Sequence, residues 1–261
     1  MTAYDRVKTA RAKGRPTALA YIHALTEGFM EFHGDRRYGD DPAILAGIAE
    51  MDGLAVTVIA IEKGADTAQR LRRNFGAAHP EGYRKALRHI KLAEKFGRPV
   101  LCLIDTSGAF CGIGAEERGQ GQAIAENLME MMTLKTPVLS IIIGEGGSGG
   151  ALALAVADEV WMMENAVYSV ISPEGCASIL WKDPARTEEA SQRLKLTAQD
   201  LLELGVIERV IGERDGVEAA LPLLRLRALD FLRAKLETPT EQLLEERYEK
   251  FRKIGRAQTL N

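Results

Sequence analysis

The chain has 261 residues, of which 46% are hydrophobic and 27% charged, a composition typical of a globular protein with a full core. Its net charge of −3 argues against a nucleic-acid partner, and no apolar run reaches the roughly 18 residues of a membrane span. The three widely spaced cysteines match no metal-binding pattern, and the N-terminus lacks the apolar core of a secretory signal. A cytoplasmic protein with reduced thiols, no resident metal and no membrane partner is therefore expected.

Strands and helices are predicted to alternate through the middle of the chain, which favours parallel βαβ units. Residues 1–15 are polar and are expected to be loosely ordered or to form a helix on a partner. Asp52-Gly53 is typical of a hairpin turn between two strands. The helix that contains Pro222 is expected to begin at Leu221, because proline is tolerated only in the first turn. The predicted elements are helices over 16–32, 80–96, 115–134, 151–157, 197–204, 221–235 and 240–254, and strands over 44–48, 55–62, 99–106, 138–143, 159–163, 166–171 and 206–211.

Two glycine-rich stretches each follow a predicted strand and precede a predicted helix. The first, Gly144 to Gly150, has five glycines in seven residues, and the second extends from Ser107 to Gly114. Two parallel strands can bring both stretches to the same edge of a sheet. Because glycine lets the backbone approach a ligand closely, the amides of both stretches could then face a negatively charged group.

The first stretch fits several interpretations. The pattern G-x-S-x-G around Ser148 matches the nucleophile elbow of hydrolases, but all four histidines precede Ser148, whereas in that fold the histidine follows the serine. The pattern G-x-G-x-x-G over 144–149 matches a dinucleotide-binding fingerprint, although Glu164 follows sooner than the usual ~20 residues. Taken together, the two stretches instead indicate an oxyanion hole without a side-chain nucleophile. A purely structural alternative is that the glycines allow close packing of helix on sheet.

Longer blocks of the sequence are similar to one known family. The blocks are HGDR (33–36), RRNFG (72–76), PEGYRKALR (80–88), IDTSGAFCGIGAEERGQ (104–120), IGEGGSGGALA (143–153) and YSVISPEGCASILWK (168–182). From about residue 15 to residue 255 the chain resembles the carboxyltransferase alpha subunits of bacterial acetyl-CoA carboxylase. The resemblance implies an α/β fold of the ClpP/crotonase type, a twisted ββα superhelix. Residues 16–255 would form this single domain together with its C-terminal helices.

The resemblance also implies a reaction and its partners. The family transfers the carboxyl group from carboxybiotin, borne by the biotin carboxyl carrier protein, to acetyl-CoA, which gives malonyl-CoA for fatty-acid synthesis. A separate beta subunit with a zinc ribbon would hold the zinc and most of the CoA site. The chain would be active only in an α2β2 heterotetramer with that subunit.

The site residues are expected in the two glycine-rich stretches, which by resemblance serve the biotin side. The expected oxyanion donors are the backbone amides of Gly146 and Gly147 in the first stretch and of Gly112 and Ile113 in the second. In the family's chemistry the biotin anion takes the proton from the acetyl methyl group, so no histidine base is required. The other residues expected to bind substrate are Gly108, Ala109, Phe110, Ser148, Gly149, Gly150, Lys63 and Arg73.

Lys63 and Arg73 belong to a basic cluster that has two open interpretations. The cluster either binds the phosphates of CoA or an acidic partner, or it forms a solvated face paired with Glu62, Asp66 and Glu81. Its members are Lys63, Arg70, Arg72, Arg73, Arg84, Lys85 and Arg88.

The second glycine-rich stretch departs from the family's usual T-P-G-A-Y-P-G. Ser107 and Cys111 stand in place of the two prolines and Phe110 in place of the tyrosine, so a less rigid loop is expected. Two alternative functions stay open at this point. One is a subunit of another crotonase-type acyl-CoA carboxylase or decarboxylase, and the other is a dinucleotide-binding oxidoreductase.

Overall fold

A mixed sheet of eight strands lies at the centre of the computed structural model, which describes residues 1–256. The strands are β1 (Glu27–Glu31), β2 (Ile44–Met51), β3 (Leu54–Ile61), β4 (Val100–Thr106), β5 (Val138–Gly147), β6 (Glu159–Met163), β7 (Val167–Ser169) and β8 (Arg209–Ile211). Their order in the sheet is β1-β2-β3-β4-β5-β6-β8, and β7 pairs with the end of β5. The first three strands are antiparallel and all later pairs are parallel, as the alternation of strands and helices predicts.

The helices surround this sheet and connect its parallel strands. They are α1 (Ala3–Ala10), α2 (Ala18–Leu25), α3 (Thr67–Arg72), α4 (Pro80–Lys95), α5 (Ile113–Glu117), α6 (Gln120–Met132), α7 (Ser148–Leu152), α8 (Pro173–Trp181), α9 (Thr187–Arg193), α10 (Ala198–Glu203), α11 (Val217–Leu236) and α12 (Thr240–Lys253). Helix α4 packs on α6, and α2 packs on α11. Every residue of β4 is buried, so its continuous apolar run marks a central strand.

The N-terminal third differs from the prediction in one element. A single helix was expected over 16–32, but α2 ends at Leu25 and the chain continues as strand β1. Thr26 is already extended, and Gly28 has a φ of +60°, which a helix does not allow. The predicted hairpin at Asp52-Gly53 is confirmed, because β2 and β3 pair in register on either side of it.

Residues 1–15 were expected to be loosely ordered or to lie on a partner. In the structure they include helix α1, which begins at a capping box between Thr2 and Asp5. Val7 and Ala10 are buried in a small apolar cluster with Val167 and Leu196 of the same chain. The segment is thus ordered on its own chain, and a partner contact of the same residues stays a prediction.

Two helix boundaries and one strand end also differ from the sequence prediction. The helix expected over 115–134 is divided into α5 and α6 at Gly119, whose φ of +81° interrupts it. Helix α11 begins at Val217 and contains Pro222 as its sixth residue, where the proline forgoes only one hydrogen bond near the N-terminus. Strand β5 continues through the glycines to Gly147, and the helix that follows begins at Ser148.

Candidate active site

Strands β4 and β5 are parallel neighbours, and Thr106 pairs with Gly146 at their carboxyl ends. Both glycine-rich stretches therefore leave the sheet at the same edge, and they lie in direct contact there. A Cβ built on Gly147 would overlap the carbonyl group of Ser107, and one built on Gly150 would lie 2.8 Å from the carbonyl carbon of Gly108. Glycine is required at both positions because the two backbones approach each other closely.

The second stretch is held by several hydrogen bonds and one ring contact. The Thr106 hydroxyl accepts from the Gly108 amide (3.0 Å) and donates to the Gly108 carbonyl (2.8 Å). The Phe110 amide donates to the carbonyl of Ala78, and the Gln120 side-chain amide donates to the carbonyls of both residues. The Phe110 ring stacks on His79 with 4.1 Å between the ring centroids. The loop is thus anchored to the segment before α4 by two direct contacts of Phe110 and by Gln120 of α6, which binds both.

A cavity of about 460 Å³ opens between the two stretches. Its lining includes all six loop residues that the sequence predicted to bind substrate, namely Gly108, Ala109, Phe110, Ser148, Gly149 and Gly150. The far wall is formed by Ile124 of α6 and by Val170, Ile171 and Ser172 in front of α8. Gln120 and Glu116 also line it. No site role is predicted from the sequence for Ile124, Val170, Ile171, Ser172, Gln120 or Glu116, although 168–182 is among the blocks that resemble the family.

The four predicted oxyanion donors are not among the residues that line this cavity. Gly146 and Gly147 lie within β5, paired with Tyr168 and Ser169 of β7. Gly112 faces the ring of Phe110, and Ile113 at the start of α5 is 80% exposed.

The residues directly after β5 do line the cavity, and no described side chain caps their amides. The first turn of α7 leaves the amides of Ser148, Gly149 and Gly150 without partners inside the helix, and none of the described side chains caps them. Ser148 itself has a φ of +54°, an uncommon conformation for a serine that turns the chain sharply from strand to helix. The part of the chain that the structure describes places no histidine in the cavity lining, so Ser148 has no base beside it there.

The charged residues behind the glycine-rich stretches form a partly buried group. Lys63 Nζ lies 2.6 Å from Asp105 Oδ1 and 3.7 Å from Glu145 Oε2, and the Glu145 amide donates to Asp105 Oδ1. Full burial raises the pKa of Asp105, although the Lys63 ammonium opposes this. Gly144 is required here too, because a Cβ would lie 2.7 Å from Cγ of Asp105. Lys63 is therefore directed at buried carboxylates, and it is not among the cavity-lining residues.

The rest of the basic cluster is dispersed among contacts within the chain. Arg73 donates to the carbonyl of Pro42 at 2.6 Å, away from the cavity lining. Arg84 pairs with Asp35 and Glu81, and Lys85 is fully buried with a hydrogen bond to Asp40. The cluster therefore matches neither a single phosphate site nor a simple solvated face.

The dinucleotide interpretation of the first stretch does not fit the geometry. Gly144 and Gly146 lie inside β5, not in a loop that could surround a pyrophosphate. Glu164, the acidic residue that follows the fingerprint, accepts hydrogen bonds from Arg6 and from the Glu213 amide. Across residues 1–256, no cluster of three or more His, Cys, Asp or Glu side chains is placed to hold a metal ion. Nor does any helix in that range combine the length and apolar character needed to cross a membrane.

Comparison with known proteins identifies the family. The family model described as acetyl co-enzyme A carboxylase carboxyltransferase-like matches residues 1–255. The acetyl-coenzyme A carboxylase carboxyl transferase subunit alpha of Ruminiclostridium cellulolyticum is 62% identical over 256 residues, which cover 98% of each chain. A protein of Natranaerobius thermophilus named for subunits beta/alpha is 55% identical over 98% of this chain and 43% of its own length.

Solved structures show the same fold at low sequence identity. A transcarboxylase 12S structure superposes with a TM-score of 0.69 at 19% identity, over 84% of this chain and 42% of the other. A Pseudomonas malonate decarboxylase hetero-tetramer gives a TM-score of 0.69 at 20% identity, over 88% and 91% of the two chains. The predicted α/β fold of the crotonase type is thereby confirmed. By its match to the family model and its identity to curated relatives, the chain belongs to the carboxyltransferase alpha subunits of acetyl-CoA carboxylase.

Proposed function

We propose that this chain is the carboxyltransferase subunit that accepts the carboxyl group from carboxybiotin and passes it to acetyl-CoA, giving malonyl-CoA. The observation that carries the proposal is the cavity between two glycine-rich stretches, in a chain whose relatives are named as this subunit. A site lined by uncapped backbone amides, with no histidine among its described lining residues, suits a reaction in which charge on oxygen must be stabilised without a side-chain base.

The cavity suits the bicyclic ring of biotin. Its volume of about 460 Å³ is in the range of small-molecule sites. Apolar side chains of Ile124, Val170 and Ile171 can cover the ring, and the amides of Ser148 to Gly150 offer donors to its ureido oxygen. When bound, biotin supplies the ureido group that carries the carboxyl group and becomes more negative as the carboxyl group leaves.

We place the oxyanion donors at the backbone amides of Ser148, Gly149 and Gly150, in preference to Gly146 and Gly147. The first three line the cavity at the point where β5 ends, whereas the other two are held in the strand ladder. Donors fixed before the reaction need no reorganisation, and loss of one typically costs about 3–4 kcal/mol of transition-state stabilisation. The role of the Gly112 and Ile113 amides as oxyanion donors stays a prediction, since Ile113 is 80% exposed.

The partners are also part of the proposal. The beta/alpha relative supports a beta subunit as the direct partner of this chain. We expect that subunit to carry the zinc ribbon and most of the CoA site, the biotin carboxyl carrier protein to deliver biotin, and the assembly to be an α2β2 heterotetramer in the cytoplasm. We do not propose that Lys63 and Arg73 bind CoA, because Lys63 already pairs with Asp105 and Arg73 donates to the carbonyl of Pro42.

The test is a transfer assay with the chain purified together with its beta subunit. Carboxylation of free biotin that depends on malonyl-CoA is expected from the complex and not from either subunit alone. Full-rate transfer by the isolated chain would contradict the shared site. If the complex instead releases CO2 from malonyl-CoA when no biotin is present, the chain is better explained as a decarboxylase subunit. One of the structural neighbours, the Pseudomonas malonate decarboxylase, is an enzyme of that class.

A variant pair tests the cavity itself. Val170 is 77% exposed and lines the cavity, so Val170→Trp can fill the space without entering the core. Met129 on α6 is 73% exposed and lies outside the lining, which makes Met129→Trp a matched control. We expect only Val170→Trp to raise the KM for biotin, with the heterotetramer intact by gel filtration. Equal activity of both variants would remove this cavity from the proposal.

A further inference from the structure

Three arginines attach the first fifteen residues to the ends of the parallel strands. Arg6 donates to the carbonyl of Glu164 (2.7 Å) and to Asn165 Oδ1 (2.6 Å). Arg15 binds Glu213 through two hydrogen bonds of 2.8 Å and also donates to the carbonyl of Ile143. Arg6 and Arg15 thus attach the segment to β5 and to the residues that follow β6 and β8, and neither arginine lines the cavity.

The third arginine makes a different kind of contact. Arg11, the residue after α1, donates from Nε to Glu145 Oε1 at 2.6 Å. The same guanidinium donates from Nη1 to Glu174 Oε1 at 2.7 Å and from Nη2 to Glu174 Oε2 at 3.4 Å. One planar group therefore joins two carboxylates that are 29 residues apart in the chain.

Each of those carboxylates belongs to a different wall of the cavity. Glu145 lies in β5, three residues before Ser148, and its own amide is fixed by Asp105. Glu174 lies in the first turn of α8, two residues after Ser172. The segment that carries the proposed oxyanion donors (148–150) and the apolar segment 170–172 leave the paired strands β5 and β7 side by side, and Arg11 adds a second connection between them.

The charges around Arg11 make it the main cation for both carboxylates. Lys63 already neutralises Asp105 at 2.6 Å and is 3.7 Å from Glu145. Without Arg11, no other cation described in the structure pairs with Glu174, and Glu145 would keep only the longer contact to Lys63. Two carboxylates without this cation would repel each other, and only the β5–β7 pairing would then hold the two segments together.

We propose that Arg11 is a positioning residue that, together with the β5–β7 pairing, holds the 170–172 segment and the start of α8 in place against 148–150 in the biotin cavity. The inference rests on the proposed function for the identity of the ligand, but the bridge itself is a property of the folded chain. The N-terminal segment then has a role in the site, although none of its residues lines the cavity.

The experiment compares Arg11→Ala, Arg11→Lys and Arg6→Ala in the complex with the beta subunit. Arg6→Ala is the matched control, because it removes an arginine that anchors the same segment without touching either wall. For Arg11→Ala we expect the KM for free biotin to rise about tenfold, which corresponds to about 1.4 kcal/mol, with the KM for malonyl-CoA within about twofold of wild type. Arg11→Lys should restore part of the biotin KM, since a lysine can pair with one carboxylate at a time.

Hydrogen exchange gives a second readout that does not need turnover. Arg11→Ala should speed exchange at the amides of 148–150 and of 170–172, and Arg6→Ala should leave both sets unchanged. An equal effect of Arg6→Ala on KM and exchange would show that the segment acts only by its attachment, which would overturn the proposal. An unchanged biotin KM together with unchanged exchange in Arg11→Ala would overturn it as well.

The outcomes separate this inference from the proposed function. If the wild-type complex transfers no carboxyl group, the function fails, while the exchange data still test the bridge. Should Arg11→Ala fail to fold, Glu174→Gln removes the charge from the other end of the bridge at a half-exposed position. It should then reproduce the rise in biotin KM and the faster exchange at 170–172, and wild-type values for both would overturn the proposal.

Discussion

The α-carbon of Gly147 faces the carbonyl group of Ser107 so closely that no side chain fits between them. Gly149, two residues later, differs, because a Cβ there would meet only the methyl groups of Ile124 at 3.7 and 3.8 Å. Two glycines of one motif therefore have different functions. Gly147 lets the two stretches touch, whereas Gly149 lines the cavity, where we propose that its amide is a donor.

This difference predicts opposite effects of the same substitution. Gly147→Ala should lower the free energy of unfolding by about 1–3 kcal/mol, because the added methyl group must displace the loop at Ser107. Gly149→Ala should keep or slightly raise that free energy, since alanine is favoured over glycine within a helix. Urea unfolding of both variants checks the prediction. A similar stability of the two variants would contradict the close approach at Gly147.

A second prediction concerns the loop that lacks the family's prolines. Gln120 is buried and donates to the carbonyls of Ala78 and Phe110, so Gln120→Leu leaves both with one donor fewer. We expect a loss of about 1–3 kcal/mol in unfolding free energy and faster hydrogen exchange over 107–112.

The control for this loop lies on the same helix. Gln122 is exposed and its side chain bonds only Glu126, so Gln122→Leu should change neither quantity. If Gln120→Leu left the exchange of the loop unchanged, the anchoring role of Gln120 would be wrong.

Much of this site could be predicted from the sequence, because two strands followed by glycines are a local pattern. The apolar runs located β4 and the start of β5, and the resemblance selected the six loop residues that the structure brings to one cavity. The end of β5 could not be located in this way. Glycine has no side chain to show alternation, and what extends the strand to Gly147 is pairing with β7, about twenty residues later.

The charged residues were the hardest to interpret from sequence alone. The partner of Lys63 is Asp105, and that of Arg11 is Glu145, so both pairs join residues that are far apart in the chain. Sequence neighbours such as Glu62 suggested a solvated face for Lys63, but Glu62 instead accepts from the amides of Leu19 and Gly64. Such pairings are set by the tertiary fold, and no local pattern predicts them.

A third prediction is a pH dependence of stability that arises from His89. This side chain is 3% exposed, stacks on Phe32 and lies 2.7 Å from Nη2 of Arg88. Burial, and then the positive charge of Arg88, lower the pKa of His89 to about 4 from the ordinary 6.5.

The unfolded chain therefore binds a proton at His89 between pH 6.5 and 4 that the folded chain does not. Stability falls as the pH falls through this window, by about 2 kcal/mol between pH 7 and pH 5 from this residue alone. Replacing the histidine in His89→Gln should remove that part of the pH dependence, which urea unfolding at the two pH values measures. An equal loss of stability in wild type and variant on going to pH 5 would show that His89 does not cause it.

The last prediction concerns the attachment of the C-terminal helix. Arg247 of α12 is 1% exposed and binds both carboxylate oxygens of Asp158, at 2.8 and 3.0 Å. Its remaining donors bind the carbonyls of Met131, Leu134 and Thr136. The guanidinium therefore joins α12 to the end of α6 and to the residues that lead into β5. Removing one partner of a buried ion pair leaves the other charge uncompensated and typically costs about 3–5 kcal/mol.

We expect Arg247→Ala to lower the free energy of unfolding by about this amount. Arg252→Ala, on the exposed side of the same helix, should cost less than about 1 kcal/mol, since that arginine only lies near the ring of Tyr248. Urea unfolding of the two variants gives both values. Because Phe251 of α12 and Ile254 directly after it line the apolar cavity of about 410 Å³ beside Ser148, Arg247→Ala should increase hydrogen exchange there before the sheet opens. Equal costs for the two arginines would mean that α12 is held by its apolar contacts and not by Arg247.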